Sequence, residues 1–296
     1  MALKPGVIKI GVFVLFLSFS AFENGNAENP GKEALDKGTQ LAQSEKYDEA
    51  IAEFNKVIAR DPNNVAAYVA LGNAYKQKKE VEKALATYTQ GLEIAKDDRR
   101  TTDLYKERAD AYLRAGWSGK GDKNFELAIA DLNKAEPFQS KNGWHFQRKG
   151  WAYSGAKNYK QAAIEFQKAA ELLPPQSKAH AYFGRGKDYA AQNRFGEALS
   201  DFNKAIELEP KFAEAYHERG LVHAQKGEYA LAVSDYTKAI ECNPDFGKAY
   251  LNRSMASFQK KDYAEALSDV RKAKKRKERV NPGFLAALEK AANQKA

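Results

Sequence analysis

Four histidines, one cysteine and scattered serines stand first among the residues here that could attack a substrate, move a proton or hold a metal. His145, His180, His217 and His223 stand at unrelated intervals, and no nucleophile sits on a sharp strand-to-helix turn. Cys242 is alone, so it has no intramolecular disulfide partner, and a four-ligand zinc site would need three of the four histidines beside it. The set predicts no catalytic residue, metal site, cofactor or small-molecule substrate. Cys242 reads as a small buried hydrophobe and His223 as a core residue between helices.

Charge gives a second candidate chemistry. The 296 residues carry a formal net charge of +9, and the stretch 271–279 accounts for six of the nine. It holds Arg271, Lys272, Lys274, Lys275, Arg276, Lys277 and Arg279 against Glu278. Such a run reads first as a solvated helix end. It also offers salt-sensitive attraction to an anionic surface, lipid headgroups or acidic polymer. Nucleic-acid binding is not expected, because that needs cations spread along a face with aromatics to stack bases.

The opening residues, MALKPGVIKIGVFVLFLSFSAFENGNAEN, set Lys4 and Lys9 before an apolar run of 13 residues, Ile10 to Phe22, and then small residues at Gly25 and Ala27. That order predicts a secretory signal over residues 1–27, cleaved near Ala27, and a mature protein that is periplasmic or secreted. The run is shorter than the roughly 20 residues of a spanning helix, so an uncleaved membrane anchor is the alternative.

The elements that position everything else repeat. Tyr182 matches Tyr216, Gly186 matches Gly220, Ala198 matches Ala232, Ala205 matches Ala239 and Pro210 matches Pro244, each at an offset of 34. The same alanine recurs at Ala50, Ala84, Ala128, Ala162, Ala198, Ala232 and Ala266. A small residue precedes six of these by twelve positions (Gly38, Gly72, Gly150, Gly186, Gly220, Ser254), and an apolar one follows by four (Phe54, Tyr88, Leu132, Phe166, Phe202, Tyr236, Val270). For Ala128 the small partner is Ala109, with the intervening segment seven residues longer. Spacings of three and four residues put these positions on one helix face, and the small residues mark where two helices cross. Proline after an acidic residue, as in ARDPNN and ELEP, stops the second helix, though the second and third repeats have Lys96 and Ser140 there.

This skeleton, seen in YVALGNAYKQKKEVEKALATY and YHERGLVHAQKGEYALAVSDYTKAIECNP, resembles the tetratricopeptide repeat. The resemblance implies an all-α fold, a right-handed superhelical solenoid of helix pairs. Its seven repeats run at about 31–64, 65–98, 102–142, 143–176, 179–212, 213–246 and 247–280. NPGFLAALEKAANQKA, with Phe284, Leu285 and Leu288 at helical spacing, reads as a capping helix over 281–296. RAGWSGKGDKNFELA reads as a long glycine-rich turn in the third repeat, carrying Trp117 as a possible contact; it lacks the phosphate-loop spacing.

The resemblance also implies a non-catalytic scaffold that binds a protein or peptide partner, with an envelope or exported assembly as setting. The family's groove is lined by first helices. Its contact positions carry over to Asn73, Lys76 and Gln77 in the second repeat, and to Asp103, Lys106, Glu107, Asp110 and Arg114 in the third, a polar set. In the last four repeats they fall on Trp144, Gln147, Arg148 and Trp151; His180, Phe183 and Lys187; Glu214, His217, Glu218 and Leu221; and Lys248, Leu251, Asn252 and Met255. That set is apolar with charged margins, although Trp151 and Leu221 could equally pack on the adjacent repeat. The family's clamp for a C-terminal carboxylate is echoed by Asn73 and by Lys248 with Asn252, but no three consecutive repeats supply it.

Overall fold

The computed structural model describes residues 30–95, 98–119 and 121–294. The expected signal, 1–27, lies outside them. The described residues form fifteen α-helices and no strand, in two compact units that divide after Phe138. The first unit contains α1 (Pro30–Gln43), α2 (Tyr47–Arg60), α3 (Val65–Gln77), α4 (Val81–Ile94), α5 (Asp98–Trp117) and α6 (Lys123–Ala135). The second contains α7 (Gly143–Gly155), α8 (Tyr159–Leu172), α9 (Ala179–Ala191), α10 (Phe195–Leu208), α11 (Ala213–Gln225) and α12 (Tyr229–Cys242). It ends with α13 (Gly247–Gln259), α14 (Tyr263–Lys275) and α15 (Pro282–Asn293). No described helix is long and apolar enough to cross a membrane.

Each odd-numbered helix from α1 to α13 pairs with the helix after it, and the repeating letters explain the pairing. In α10 the buried residues Ala198, Asp201, Phe202 and Ala205 recur at three and four residues, one stripe of a helix. The stripe meets α9 at Gly186, where an added Cβ would stand 2.8 Å from Phe202 Cε1; Gly220 is held in the same way by Tyr236. A larger residue at either crossing would force the helices apart.

The hairpin turns share one backbone device. After α9, Arg194 N donates to Tyr189 O at 2.9 Å while Asn193 takes a left-handed φ of 58°; after α11, Glu228 N donates to His223 O and Gly227 takes φ 77°. This closes the first helix's last carbonyls and reverses the chain in a few residues. Only this hairpin, among the regular ones, has glycine there; Glu45, Lys79, Lys157, Asn193 and Lys261 adopt the same conformation with side chains.

A polar lock repeats inside the hairpins as well. Arg108 grips Asp131, Arg185 grips Asp201 and Arg219 grips Asp235, each through Nε and Nη2 at 2.6–2.9 Å. The remaining nitrogen reaches back to the preceding hairpin: Arg108 Nη1 to Thr89 Oγ1 at 3.0 Å, Arg219 Nη1 to Asn203 Oδ1 at 2.6 Å. In two hairpins a Lys–Glu pair takes over, Lys37 with Glu53 at 2.9 Å and Lys149 with Glu165 at 3.7 Å. The longer cation thus meets the shorter acid, and the shorter cation the longer acid.

The third repeat corrects the sequence reading. Its seven additional residues do not form a long turn: α5 runs on through Leu113 and Gly116 to Trp117, and α6 starts at Lys123, with 118–122 between them. Gly116 is a packing glycine, its Cβ position 2.6 Å from Phe125 Cζ, and not a loop glycine.

At the end of the second unit Asn281 Oδ1 accepts from Gly283 N at 2.8 Å and starts α15. Leu288 is fully buried against Ala266 and Val270 of α14, covering the apolar face that a last hairpin would otherwise expose.

Candidate functional site

In the second unit the first helices α7, α9, α11 and α13 touch one another in order, whereas each second helix packs on its own first helix and then on the first helix of the next pair. Side chains that point away from the second helices therefore share one face, formed by α7, α9, α11 and α13.

The sequence-predicted residues divide sharply by exposure on this face. Trp144 and Met255 are open to solvent at 46% and 49%, and Lys248 is exposed. Arg148, Trp151, His180, Phe183, Lys187, Leu221, Leu251 and Asn252 are half-buried. Gln147 and His217 are buried, which corrects their placement as groove-lining groups. Trp151 lies edge-on to Phe166 at 5.0 Å and 6.4 Å from Phe183, so one ring serves the core and the face together. Phe183 continues the row to Phe212 at 4.8 Å, where His180 also packs at 4.8 Å. Leu221 packs against Tyr236 and Ala256.

His217 has an electrostatic role in spite of its burial. Asn252 Nδ2 lies 2.8 Å from its Nε2, and the ring packs 4.8 Å from Phe246. With the amide donating, Nε2 is the acceptor and Nδ1 carries the hydrogen. Burial, with Lys248 and Lys187 adding to it, pushes its pKa down to about 4, so the ring is neutral. Next to it, burial raises Glu218 against the pull of the same two lysines.

Asp188 was not singled out by sequence reasoning. It is 1% exposed, and its Oδ1 accepts from Ser154 Oγ at 2.6 Å across α7 and α9. Burial raises its pKa to about 7 against the Ser154 hydrogen bond and the charge of Lys187. The signal was available: neighbouring repeats place Ala152, Val222 and Ala256 at this step, all buried and apolar.

Other expectations shift. Trp117, 58% exposed, ends α5 and packs edge-on to Phe125 at 5.0 Å within the first unit. In the basic stretch Arg271, Lys272, Lys274, Lys275, Lys277 and Arg279 are exposed, and of these Lys272 reaches Asp269 at 3.8 Å. Arg276 is structural: it lies 4.5 Å over the Tyr250 ring and Nε donates to Pro244 O at 2.8 Å. Cys242 is half-buried and not a core residue, and burial raises its pKa. His223 sits between helices, its Nδ1 2.6 Å from Glu228 Oε2. Among the described residues no group of three or more His, Cys, Asp or Glu is placed to hold a metal.

Comparison with known proteins gives this architecture its class. Tetratricopeptide repeat families match residues 41–107, 186–227, 213–246 and 235–268. A crystal structure of a tetratricopeptide repeat protein from Parabacteroides merdae superposes with a TM-score of 0.67 at 20% identity, covering 88% of this chain and 98% of that one. YrrB, described as "a TPR protein with an unusual peptide-binding site", superposes with a TM-score of 0.50 at 26% identity, covering 66% of this chain and 95% of its own. Superkiller protein 3 of Schizosaccharomyces pombe is 26% identical over 169 residues, 56% of this chain but only 12% of that much longer protein. The chain belongs to the tetratricopeptide repeat family, whose fold is generally a protein–protein interaction scaffold.

Proposed function

We propose that this protein is a non-catalytic scaffold that holds an extended segment of a protein partner along the α7–α9–α11–α13 face. The observation that carries the reading is the exposure of Trp144 and Met255 at the two ends of that face, joined by the half-buried Trp151, Phe183, Leu221 and Leu251. None of the hairpin crossings needs Trp144 or Met255, and exposed apolar groups that the scaffold does not use mark a surface that something covers. The peptide-binding description of YrrB supports the same use of the fold. The setting proposed is an exported or envelope assembly, reached through removal of residues 1–27. Intact-mass measurement of protein from its native compartment tests that step, and a chain beginning at Met1 would favour the anchored alternative.

Photo-crosslinking tests the binding face. A benzophenone side chain at Met255 should capture the partner, while the same group at Leu231, 52% exposed on α12, should not. Capture at Leu231 alone would move the partner to the second helices.

A second reading rests on five exposed cations of the basic stretch, Arg271, Lys274, Lys275, Lys277 and Arg279, which form no ion pair among the described residues. They supply attraction to an anionic surface that fades within a Debye length of about 8 Å at physiological salt. Reversing four of them should abolish binding to anionic vesicles at low salt and leave partner capture at Met255 intact; equal vesicle binding rejects this reading.

A further inference from the structure

The described residues contain two sulfur atoms, the Cys242 thiol and the Met255 thioether; the chain's other methionine, Met1, lies outside them. The two are placed oppositely. Cys242 is half-buried at the end of α12 with Sγ 3.9 Å from Pro210 O, and burial raises its pKa, which holds it in the less reactive thiol form. Met255 is 49% exposed on the first-helix face. Its exposure follows from its place in the fold. One hairpin earlier the same position is Leu221, which packs against Tyr236 of α12 and Ala256 of α13, the first helix that comes next. No first helix comes after α13 among the described residues: α15 follows instead, packing on α14 through Leu288 and on Phe258 through Phe284. Met255 therefore ends the apolar row of the face with its thioether side chain nearly half open to water.

Resting on the partner-binding reading above, we infer that Met255 is a modification site, at which oxidation by a hydroperoxide turns the end of this face from binding to non-binding. The exchange balances. The O–O bond of the peroxide breaks, one oxygen forms an S–O bond to the thioether, and the other leaves as water or an alcohol; sulfur loses the two electrons that the peroxide gains. No proton leaves the protein. The product is a polar, chiral sulfoxide one helical turn from Leu251, where the face otherwise presents hydrocarbon. An apolar partner group seated there strips water from the sulfoxide oxygen without replacing its hydrogen bond, which weakens the contact. The scaffold is unaffected, because the α13–α14 crossing is built from the buried Ser254, Ala266 and Val270 and does not use Met255.

The test uses the intact protein with a benzophenone side chain at Lys248, exposed two turns back on α13, to capture its partner from an extract of the native compartment. The protein is treated with hydrogen peroxide, which is removed before the extract is added. Peptide mapping should find an added oxygen at Met255, formed at roughly the rate of N-acetylmethionine, with Cys242 still reduced. The melting temperature should move by less than about 2 °C. The protein concentration needed for half-maximal capture should rise about tenfold. Met255→Leu, whatever its own capture level, should show no change on the same treatment. Methionine sulfoxide reductase with a dithiol, which removes the oxygen as water, should restore capture by the oxidised protein. Oxidation of Met255 more than about tenfold slower than that of the free thioether, or oxygen arriving first at Cys242, overturns the inference. Sulfoxide at Met255 with undiminished capture also overturns it and leaves the face reading standing. A fall in capture that Met255→Leu shares, or that comes with a collapsed melt, places the damage elsewhere and overturns it as well. Absence of capture before any peroxide is added, with benzophenone at Lys248 and at Met255 alike, overturns both readings.

Discussion

In the last helix hairpin the guanidinium of Arg253 grips Asp269 through two parallel hydrogen bonds, Nε to Oδ2 at 2.7 Å and Nη2 to Oδ1 at 2.9 Å. Its third nitrogen donates to Thr237 Oγ1 at 2.9 Å, so one side chain ties α13 to α14 and to the preceding α12. Arg253 is 9% exposed and Asp269 1%, which makes removal of one partner far costlier than removal of both.

The second repeat supplies the neutral replacement: Leu71 and Thr87 occupy the two positions, and Thr87 Oγ1 donates instead to Lys83 O of its own helix. Arg253→Leu or Asp269→Thr alone should cost about 3–5 kcal/mol by leaving a buried charge uncompensated. The double variant should cost less than either single one. Urea unfolding of the four proteins forms the cycle, and additive losses would show that the pair is not coupled.

The hairpin turns give a prediction of opposite sign. Lys79, Lys157 and Lys261 hold φ between 60° and 66°, where a side chain is strained and glycine is not. Replacing any one by Gly should raise stability by roughly 0.5–1 kcal/mol after the added unfolded-state entropy is subtracted. Gly227→Ala should lower it by a similar amount. A fall in melting temperature for Lys157→Gly would mean that its stem packs more than its backbone strains.

These two features show how far the residues spoke for themselves. The helix crossings were legible because one geometric demand, a small residue facing a larger apolar one, returns every repeat and leaves the same kind of residue each time. The Arg–Asp lock was equally periodic, but it is written in polar residues that also suit a solvated helix surface. Only the exchange of Arg–Asp for Lys–Glu and for Leu71–Thr87 marks it as a buried pair. The site was harder. Trp144 and Trp151 both occupy expected face positions, yet one is open and the other rests on Phe166, because exposure depends on what the adjacent helix brings. The glycines around Trp117 suggested a loop because glycine has two uses, and Gly116 is small to admit Phe125, not to turn the chain.

Asp188 and His217 should give the protein opposing pH responses. The Asp188 carboxyl, raised from 3.8 to about 7, favours the protonated folded form, so its contribution is complete at low pH and is lost as pH rises through about 7. His217, lowered from 6.5 to about 4, favours the neutral folded form; its contribution is complete above 6.5 and is lost as pH falls through about 4. Asp188→Asn keeps a partner for Ser154 and should flatten the decline on the alkaline side. His217→Gln should remove the decline on the acid side. Thermal melts from about pH 4 to about pH 8 read both. An Asp188→Asn profile that parallels the natural one would place that carboxyl in water.

The final prediction separates residues that build the scaffold from residues that bind. Ala198 is completely buried where α10 crosses α9, so Ala198→Leu should overpack the crossing and cost about 1–3 kcal/mol of stability, with partner affinity unchanged in the fraction that folds. Trp144→Ala should do the reverse. Its ring is nearly half exposed, so stability should move by no more than about 0.5 kcal/mol, while affinity for the photo-captured partner should fall by at least about 2 kcal/mol. Met255→Ala should behave in the same direction with a smaller loss. Trp151→Ala should do both, because the ring that faces Phe183 also closes over Phe166. Calorimetric titration and melts on the same samples distinguish the three classes. If Trp144→Ala and Met255→Ala bind as the natural chain does, the partner does not cover this face, and Trp117 at the end of α5 becomes the next exposed aromatic to truncate.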